Sequence, residues 1–366
     1  MLTKATSLFR HLKLLRQRAK LLFFYFVGRK SIILLLALAL AALLALVLSC
    51  TAGTAELGLA DIWGALKAGE DSDLARTILF EIRLPRALAA LICGLALGTA
   101  GAALQGLFRN PLADPGLIGV SSGGALGALL VFAFGSALFA CLPVAFHALA
   151  LPLAAMVGAL AITFLVLALA GTLGRRRIGG MLLIGIAVNA AVAALTGLIL
   201  HFAADNQIRL YTFWMLGGLD RSEWILLLPA ACVVGLGLLI LPRCSRELDV
   251  LALGEAEAHF AGIDVARLRR YVVWTSAAMV GAAVAVGGMI GFVGLVAPHL
   301  VRLTAGPSHR FLVPASGLLG GILLIAADVA ARLAGGASEL PIGVVTAIIG
   351  APFFLYVLMK GEGRTE

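Results

Sequence analysis

The sequence predicts an all-α polytopic membrane protein of about ten transmembrane helices with inverted-repeat character. Three observations predict it. Of 366 residues, 61% are hydrophobic and only 13% charged, and the mean hydropathy is +1.06, unlike a soluble domain. Ten apolar runs approach the ~20 residues that cross ~30 Å of hydrocarbon. Basic residues are distributed unevenly along the chain, as the positive-inside rule requires.

Residues 1–30 form a basic arm with eight Lys or Arg and no acid. This arm is expected in the cytoplasm, where its charge favours anionic membrane lipid over nucleic acid, because a span follows at once. Residues 31–360 form one transmembrane domain, and residues 361–366 a cytoplasmic tail. The spans are expected at 31–50, 84–107, 117–139, 147–171, 180–202, 223–241, 271–290, 292–305, 311–333 and 340–359. Both termini then lie inside, and 21 of the 28 basic residues fall in cytoplasmic segments. No small-residue cleavage site separates the arm from the first span, so residues 31–49 read as a retained span. Five scattered cysteines with no C-x-x-C pair suggest neither a disulfide framework nor a zinc site.

Between the second and third spans lies the polar stretch 105–124, broken by Pro111 and Pro115 and rich in glycine. Non-helical backbone at membrane depth is tolerated only where protein or a water-filled cavity satisfies it, so this stretch reads as a gate or pathway element. Residues 84–124 and 271–321 each pass from an arginine-flanked, glycine-studded helix through a proline break into a small-residue helix. Five spans apart, such copies would be inverted. Gly94-x-x-x-Gly98 and Gly123-x-x-x-Gly127 are expected to pack helices closely.

Residues 247–268 are the substantial internal cytoplasmic segment. They read as two short helices broken at Gly254, with a stop at Gly262 and an N-cap at Asp264. A compact helical knob of this kind suits docking to a soluble partner. Asp328 and Arg332, four apart, share a helix face and are expected to pair. Arg83 and Arg86 flank Pro85 at the outer mouth of another span, and with Arg332 they read equally as an external basic patch or as interfacial anchors. The six histidines show no metal-ligand spacing, and packing is expected of His299. No G-x-x-x-x-G-K-[ST] phosphate loop is present, so any ATP and Mg must be bound by a separate subunit.

Four motifs, Ile-Arg-Leu-Pro-Arg (82–86), Asn-Pro-Leu-Ala-Asp-Pro-Gly-Leu-Ile-Gly-Val-Ser-Ser-Gly (110–123), Gly-Phe-Val-Gly-Leu-Val-Ala-Pro-His-Leu-Val-Arg (291–302) and Glu-Leu-Pro-Ile-Gly-Val-Val-Thr-Ala-Ile-Ile-Gly-Ala-Pro-Phe-Phe (339–354), occur in this order. Together they resemble the iron-chelate and cobalamin permeases, the membrane subunits of type II ABC importers. The resemblance covers about residues 75–360. It implies a bacterial inner-membrane homodimer with two ATP-binding cassette subunits and one periplasmic substrate-binding protein, and no cofactor bound by this chain.

By the same resemblance, Arg83, Arg86 and Arg332 receive acidic residues of the binding protein, and Leu253, Gly254, Glu255, Ala256, His259 and Gly262 couple to the ATPase. Asn110 and Leu112 form the cytoplasmic gate with the turn Ile178-Gly179-Gly180, where the cobalamin permease carries small hydroxyl residues. Arg209 and Gln105 are assigned to the pathway. The 110–127 stretch resembles haem permeases more closely, which puts haem first among substrates, ferric siderophore next and cobalamin third.

Two other classes compete. An ion-coupled secondary transporter should carry several acids within its spans, yet Asp328 alone lies well inside one. An intramembrane hydrolase would use Ser121 or Ser122 of Gly119-Val-Ser-Ser-Gly123, but that motif needs a strand–turn–helix context.

Overall fold

The computed structural model describes residues 31–52, 73–141, 143–172, 178–335 and 339–362. The basic arm, the arginine run 175–177 and the last four residues of the tail lie outside them. Every regular element among the described residues is helical. Ten apolar helices account for the ten expected spans. Seven are long enough to cross a membrane: α1 (Ser31–Thr51), α2 (Leu74–Phe108), α4 (His147–Gly171), α5 (Gly179–Phe202), α7 (Trp224–Leu251), α10 (Val265–Gly287) and α12 (His309–Gly335). The shorter apolar helices are α3 (Val120–Gly135), α11 (Val293–Ala305) and α13 (Ile342–Val357). Between α5 and α7 lies α6 (Asp205–Met215), a polar helix the hydropathy pattern does not reveal. The far end of α7 folds as its own short helix, α8 (Ser245–Leu251), and α9 (Glu255–Phe260) follows it.

One boundary differs instructively from expectation. The second span does not begin at Leu84; it runs back to Leu74 through a π-helical stretch, Ile78–Arg83. Proline removes an amide donor from the ladder one turn earlier, and the widened turn absorbs the mismatch. α11 has 13 residues, or about 20 Å at 1.5 Å per residue, and cannot cross the hydrocarbon alone.

The core is built on α2, which packs most extensively against α12 and then against α10. Small residues make this possible. A Cβ on Gly94 would collide with the Gly320 carbonyl, and one on Gly98 with the Ser316 carbonyl. The second glycine pair works the same way between α3 and α4, where Gly123 and Gly127 face Gly158 and Ala154. In lipid, where helices gain little by hiding apolar surface from each other, such backbone proximity supplies the packing energy. By contrast α5 exposes Leu183, Ile186, Leu195 and Leu198, and the middle of α1 is exposed along most of its length.

The chain alternates between two ends of the bundle. One end gathers the loop after α2, the α8–α9 knob and the turn between α11 and α12. The other gathers the end of α1, the π-stretch, α6 and the start of α13.

Candidate functional site

The knob matches its expected shape. Gly254, at φ 145°, separates α8 from α9, and Gly262, at φ 80°, terminates α9. Asp264 caps α10 by accepting the Arg267 amide at 2.9 Å. Leu253 is 74% exposed and Phe260, not singled out by sequence, 93% exposed. Glu255, Ala256 and His259 lie on the same short turn. Two large apolar side chains therefore protrude from a glycine-bounded, charged helix pair.

The knob is tied to the bundle by a cluster that sequence reasoning missed. Asp249 of α8 accepts the His309 backbone amide at 2.8 Å, lies 2.6 Å from His309 Nδ1, and takes the Ser308 hydroxyl at 3.1 Å. Ser245 donates to the His309 carbonyl at 3.1 Å. The His309 ring sits directly on Gly106 of α2. A histidine and an aspartate sixty residues apart give no pattern in sequence.

Gln105 requires correction as a pathway residue. It is 2% exposed, its amide donating to the Gly294 carbonyl at 3.2 Å and its oxygen accepting Arg302 Nη2 at 2.9 Å. It bridges α2 to α11 instead. The cost of burying an amide in apolar surroundings forces these partners upon it. Arg209 is exposed on α6. His299 packs edge-on against Phe353, as expected, with centroids 5.9 Å apart.

The loop 109–119 is an ordered turn. Asn110 accepts the Leu112 amide at 2.9 Å, and Asp114 caps a 3-10 turn by accepting the Gly116 amide at 2.7 Å. Burial pushes the Asp114 carboxyl above its usual range, opposed by that amide. Leu112 and Gly179 are exposed, while Gly180 is half-buried; the Ile178 side chain lies outside the described residues. The contacts that join this loop to α5 occur beyond the expected gate turn. Asn189 Nδ2 donates to the Gly116 carbonyl at 3.0 Å, and the Ser122 hydroxyl donates to Asn189 Oδ1 at 2.6 Å. Gly185 lies against the Leu117 carbonyl. Asn189, a polar residue in the middle of an apolar span, was the available signal. Ser122 opens a helix and is bound to an amide, with no histidine or acid partner among the described residues, which is not the setting a serine nucleophile needs.

At the other end the three arginines do converge, but not as an open patch. Asp328, 1% exposed, is held between Arg86 Nε at 2.8 Å and Arg332 Nε at 3.1 Å, which bears out the Asp328–Arg332 pair. Arg86 Nη1 also meets Glu339 at 2.7 Å. Arg83 and Arg332 are 4% and 6% exposed, and the expectation that they face outward is corrected. Arg83 donates to the Cys50 and Thr51 carbonyls at 2.8 and 3.0 Å, and Arg332 to the Ser49 hydroxyl at 2.8 Å and the Ala52 carbonyl. The last carbonyls of a helix lack internal partners and carry its negative dipole end, so two cations are drawn to the end of α1. Beside Arg86 opens a pocket of about 510 Å³ that reaches Trp214, Gly217, Asp220, Arg221 and Glu339.

An all-helical bundle of seven long and three shorter apolar helices, with a projecting two-helix knob, defines a permease of the type II ABC importer class. The chain belongs to the FecCD transport family, whose model matches residues 39–360. It is 38% identical over 320 residues to the hemin transport system permease HmuU of Yersinia pestis, covering 85% of this chain and 91% of that protein. It is 41% identical over 292 residues to the cobalamin permease BtuC of Halobacterium salinarum (80% of this chain, 76% of that one). It is 42% identical over 294 residues to the vitamin B12 permease BtuC of Vibrio cholerae (80% and 85%). Among solved structures it resembles an inward-facing putative metal-chelate type ABC transporter, at TM-score 0.77 and 32% identity over 89% of this chain and 98% of that one. PsaBC from Streptococcus pneumoniae shares the fold at TM-score 0.53 and 17% identity, with 78% and 94% covered.

Proposed function

We propose that this chain is the membrane subunit of an ATP-driven importer that carries a metal tetrapyrrole inward, haem in preference to cobalamin, with ferric siderophore the other iron chelate to test. The observation that carries this reading is the joint presence of hemin and B12 permeases among relatives matched over most of their length. Haem and cobalamin share a large, flat, metallated ring, so one pathway geometry serves both.

Two copies would form the pathway between them, with the apolar face of α5 facing the partner copy. Both termini lie in the cytoplasm of a bacterial inner membrane, and the knob points the same way. There Leu253 and Phe260 enter an ATP-binding cassette subunit, while Gly254 and Gly262 let α9 tilt. ATP and Mg are handled by that subunit. Asn110, Leu112 and the 178–180 turn close the cytoplasmic side, held by the link from Asn189 to the 116–119 turn. On the periplasmic side a carboxylate of the binding protein meets Arg86 by displacing Glu339, the more exposed of its two partners. Arg83 and Arg332 support that contact from behind. Charge pairs of this kind set orientation and on-rate more than affinity.

The test is uptake into proteoliposomes holding the permease, its ATPase and its binding protein, with ATP trapped inside. Haem, a ferric hydroxamate and cobalamin are offered in parallel. ATP-dependent accumulation of haem, exceeding that of the other two, is expected. Accumulation that ignores ATP and follows an ion gradient would overturn the importer reading; accumulation of cobalamin or hydroxamate alone would overturn the choice of haem.

A further inference from the structure

The knob end of the bundle carries a groove of about 800 Å³ that shares Glu255 and His259 with the knob but otherwise lies outside the coupling and pathway residues. Its lower walls are apolar. Phe164 and Leu167 of α4 face Trp274 of α10, with the Phe164 and Trp274 rings 6.2 Å apart and tilted by 33°. Phe164 is an exposed, outward-facing residue of a membrane-spanning helix, so the groove opens sideways into lipid.

Its upper rim is charged. Arg269 and Arg270 line it, and Arg270 lies one helical turn above Trp274, the order of cation and aromatic found where a bilayer meets water. His259, Glu255 and Asp264 complete the rim. Asp264 is engaged in capping α10, and Glu255 attracts Arg269 electrostatically. Even so, Arg269 Nε is buried with no hydrogen-bond partner. A buried guanidinium donor left unmade is costly, and what the groove presents to an acceptor from outside the chain is the rest of the Arg269 side chain together with Arg270.

We propose that this groove binds one anionic phospholipid from the leaflet on the knob side. Its phosphate sits on Arg269 and Arg270, and one acyl chain runs down between α4 and α10 over Phe164, Leu167 and Trp274. The volume is in the range of pockets that enclose small ligands, and basic pockets between spans at this depth recognise anionic headgroups. The lipid would fill the space between the membrane core and the knob, so that α9 rests partly on it. The proposal needs the chain to span a membrane, but not any particular cargo.

The experiment is native mass spectrometry of the full-length permease released from nanodiscs of phosphatidylglycerol, phosphatidylcholine or their mixture. One phosphatidylglycerol retained per chain is expected from the mixture. Arg269→Gln with Arg270→Gln should weaken that retention about tenfold or more, and Trp274→Ala should weaken it for either headgroup. Arg267→Gln serves as control, because Arg267 is exposed, stacks over Tyr271 at 5.5 Å and is not part of the groove. Undiminished retention in the double variant, equal retention of phosphatidylcholine, or displacement of the bound species by inorganic phosphate would each overturn the proposal. A double variant that folds poorly shows a lowered unfolding temperature; the Trp274→Ala and headgroup comparisons then decide. None of these readouts depends on uptake, so failure of the importer reading remains separable.

Discussion

The two ends of the α2–α12 pair solve the same problem with different chemistry. At the arginine-rich end, one fully buried carboxylate, Asp328, serves two arginines, and a third arginine and Arg332 itself close the end of α1. At the knob end the connectors are an amide, Gln105, and a histidine, His309, whose acid partner Asp249 is 38% exposed. Between them the helices touch backbone to backbone through Gly94 and Gly98. The difference teaches a division of labour. The charged end is fixed, because separating buried opposite charges is expensive. The knob end, partly hydrated and held by hydrogen bonds, can adjust. Asp249 joins α8 to α12 at His309, and the α2–α12 pair leads from there to Arg86.

The largest expected effect tests the fixed end. Asp328→Ala leaves Arg86 and Arg332 without their shared buried counter-charge and should destabilise the permease by about 3–5 kcal/mol, read as a lowered unfolding midpoint in detergent. A change under one kilocalorie would show that water already compensates this cluster. Next comes the stiff middle. Gly98→Leu forces α2 from α12 and should cost about 1–3 kcal/mol or more; full stability and full uptake together would refute the rigid pair.

The adjustable end should respond less in stability and more in coupling. Asp249→Ala removes charge-assisted hydrogen bonds worth about 1.5–3 kcal/mol, and should leave ATPase binding intact while lowering transport per ATP. An unchanged ratio of uptake to hydrolysis would sever the knob from α12. The smallest effect is expected at Glu339→Gln, within about 0–1 kcal/mol because the pair is partly exposed. Its consequence should be seen instead as faster capture of the binding protein, measured by stopped-flow mixing at low salt. Slower capture would mean that Glu339 helps the partner instead of standing in for it.

Much of this was legible in the sequence. Span positions follow from apolar run length, since a bilayer imposes one thickness on every crossing. The Gly-x-x-x-Gly pairs, the knob broken at Gly254 and the Asp328–Arg332 pair follow from local spacing along a helix, and the four motifs carry the family. Side-chain direction around a bundle was not legible. Gln105 and Arg209 are both polar residues next to apolar runs, yet one is buried under Arg302 and the other faces solvent. Arg83 and Arg332 read as surface charge because their acceptors are backbone carbonyls at the end of α1, which any sequence offers. The joint between Asp249 and His309, the seat of Asn189 on the 116–119 turn and the groove under the knob each require residues from separate helices to meet. Hydrophobicity and spacing determined how often this chain crosses the membrane and where its helices stop. Only the tertiary packing decided which polar groups answer one another, because a hydrogen bond depends on three-dimensional placement that no one-dimensional period encodes.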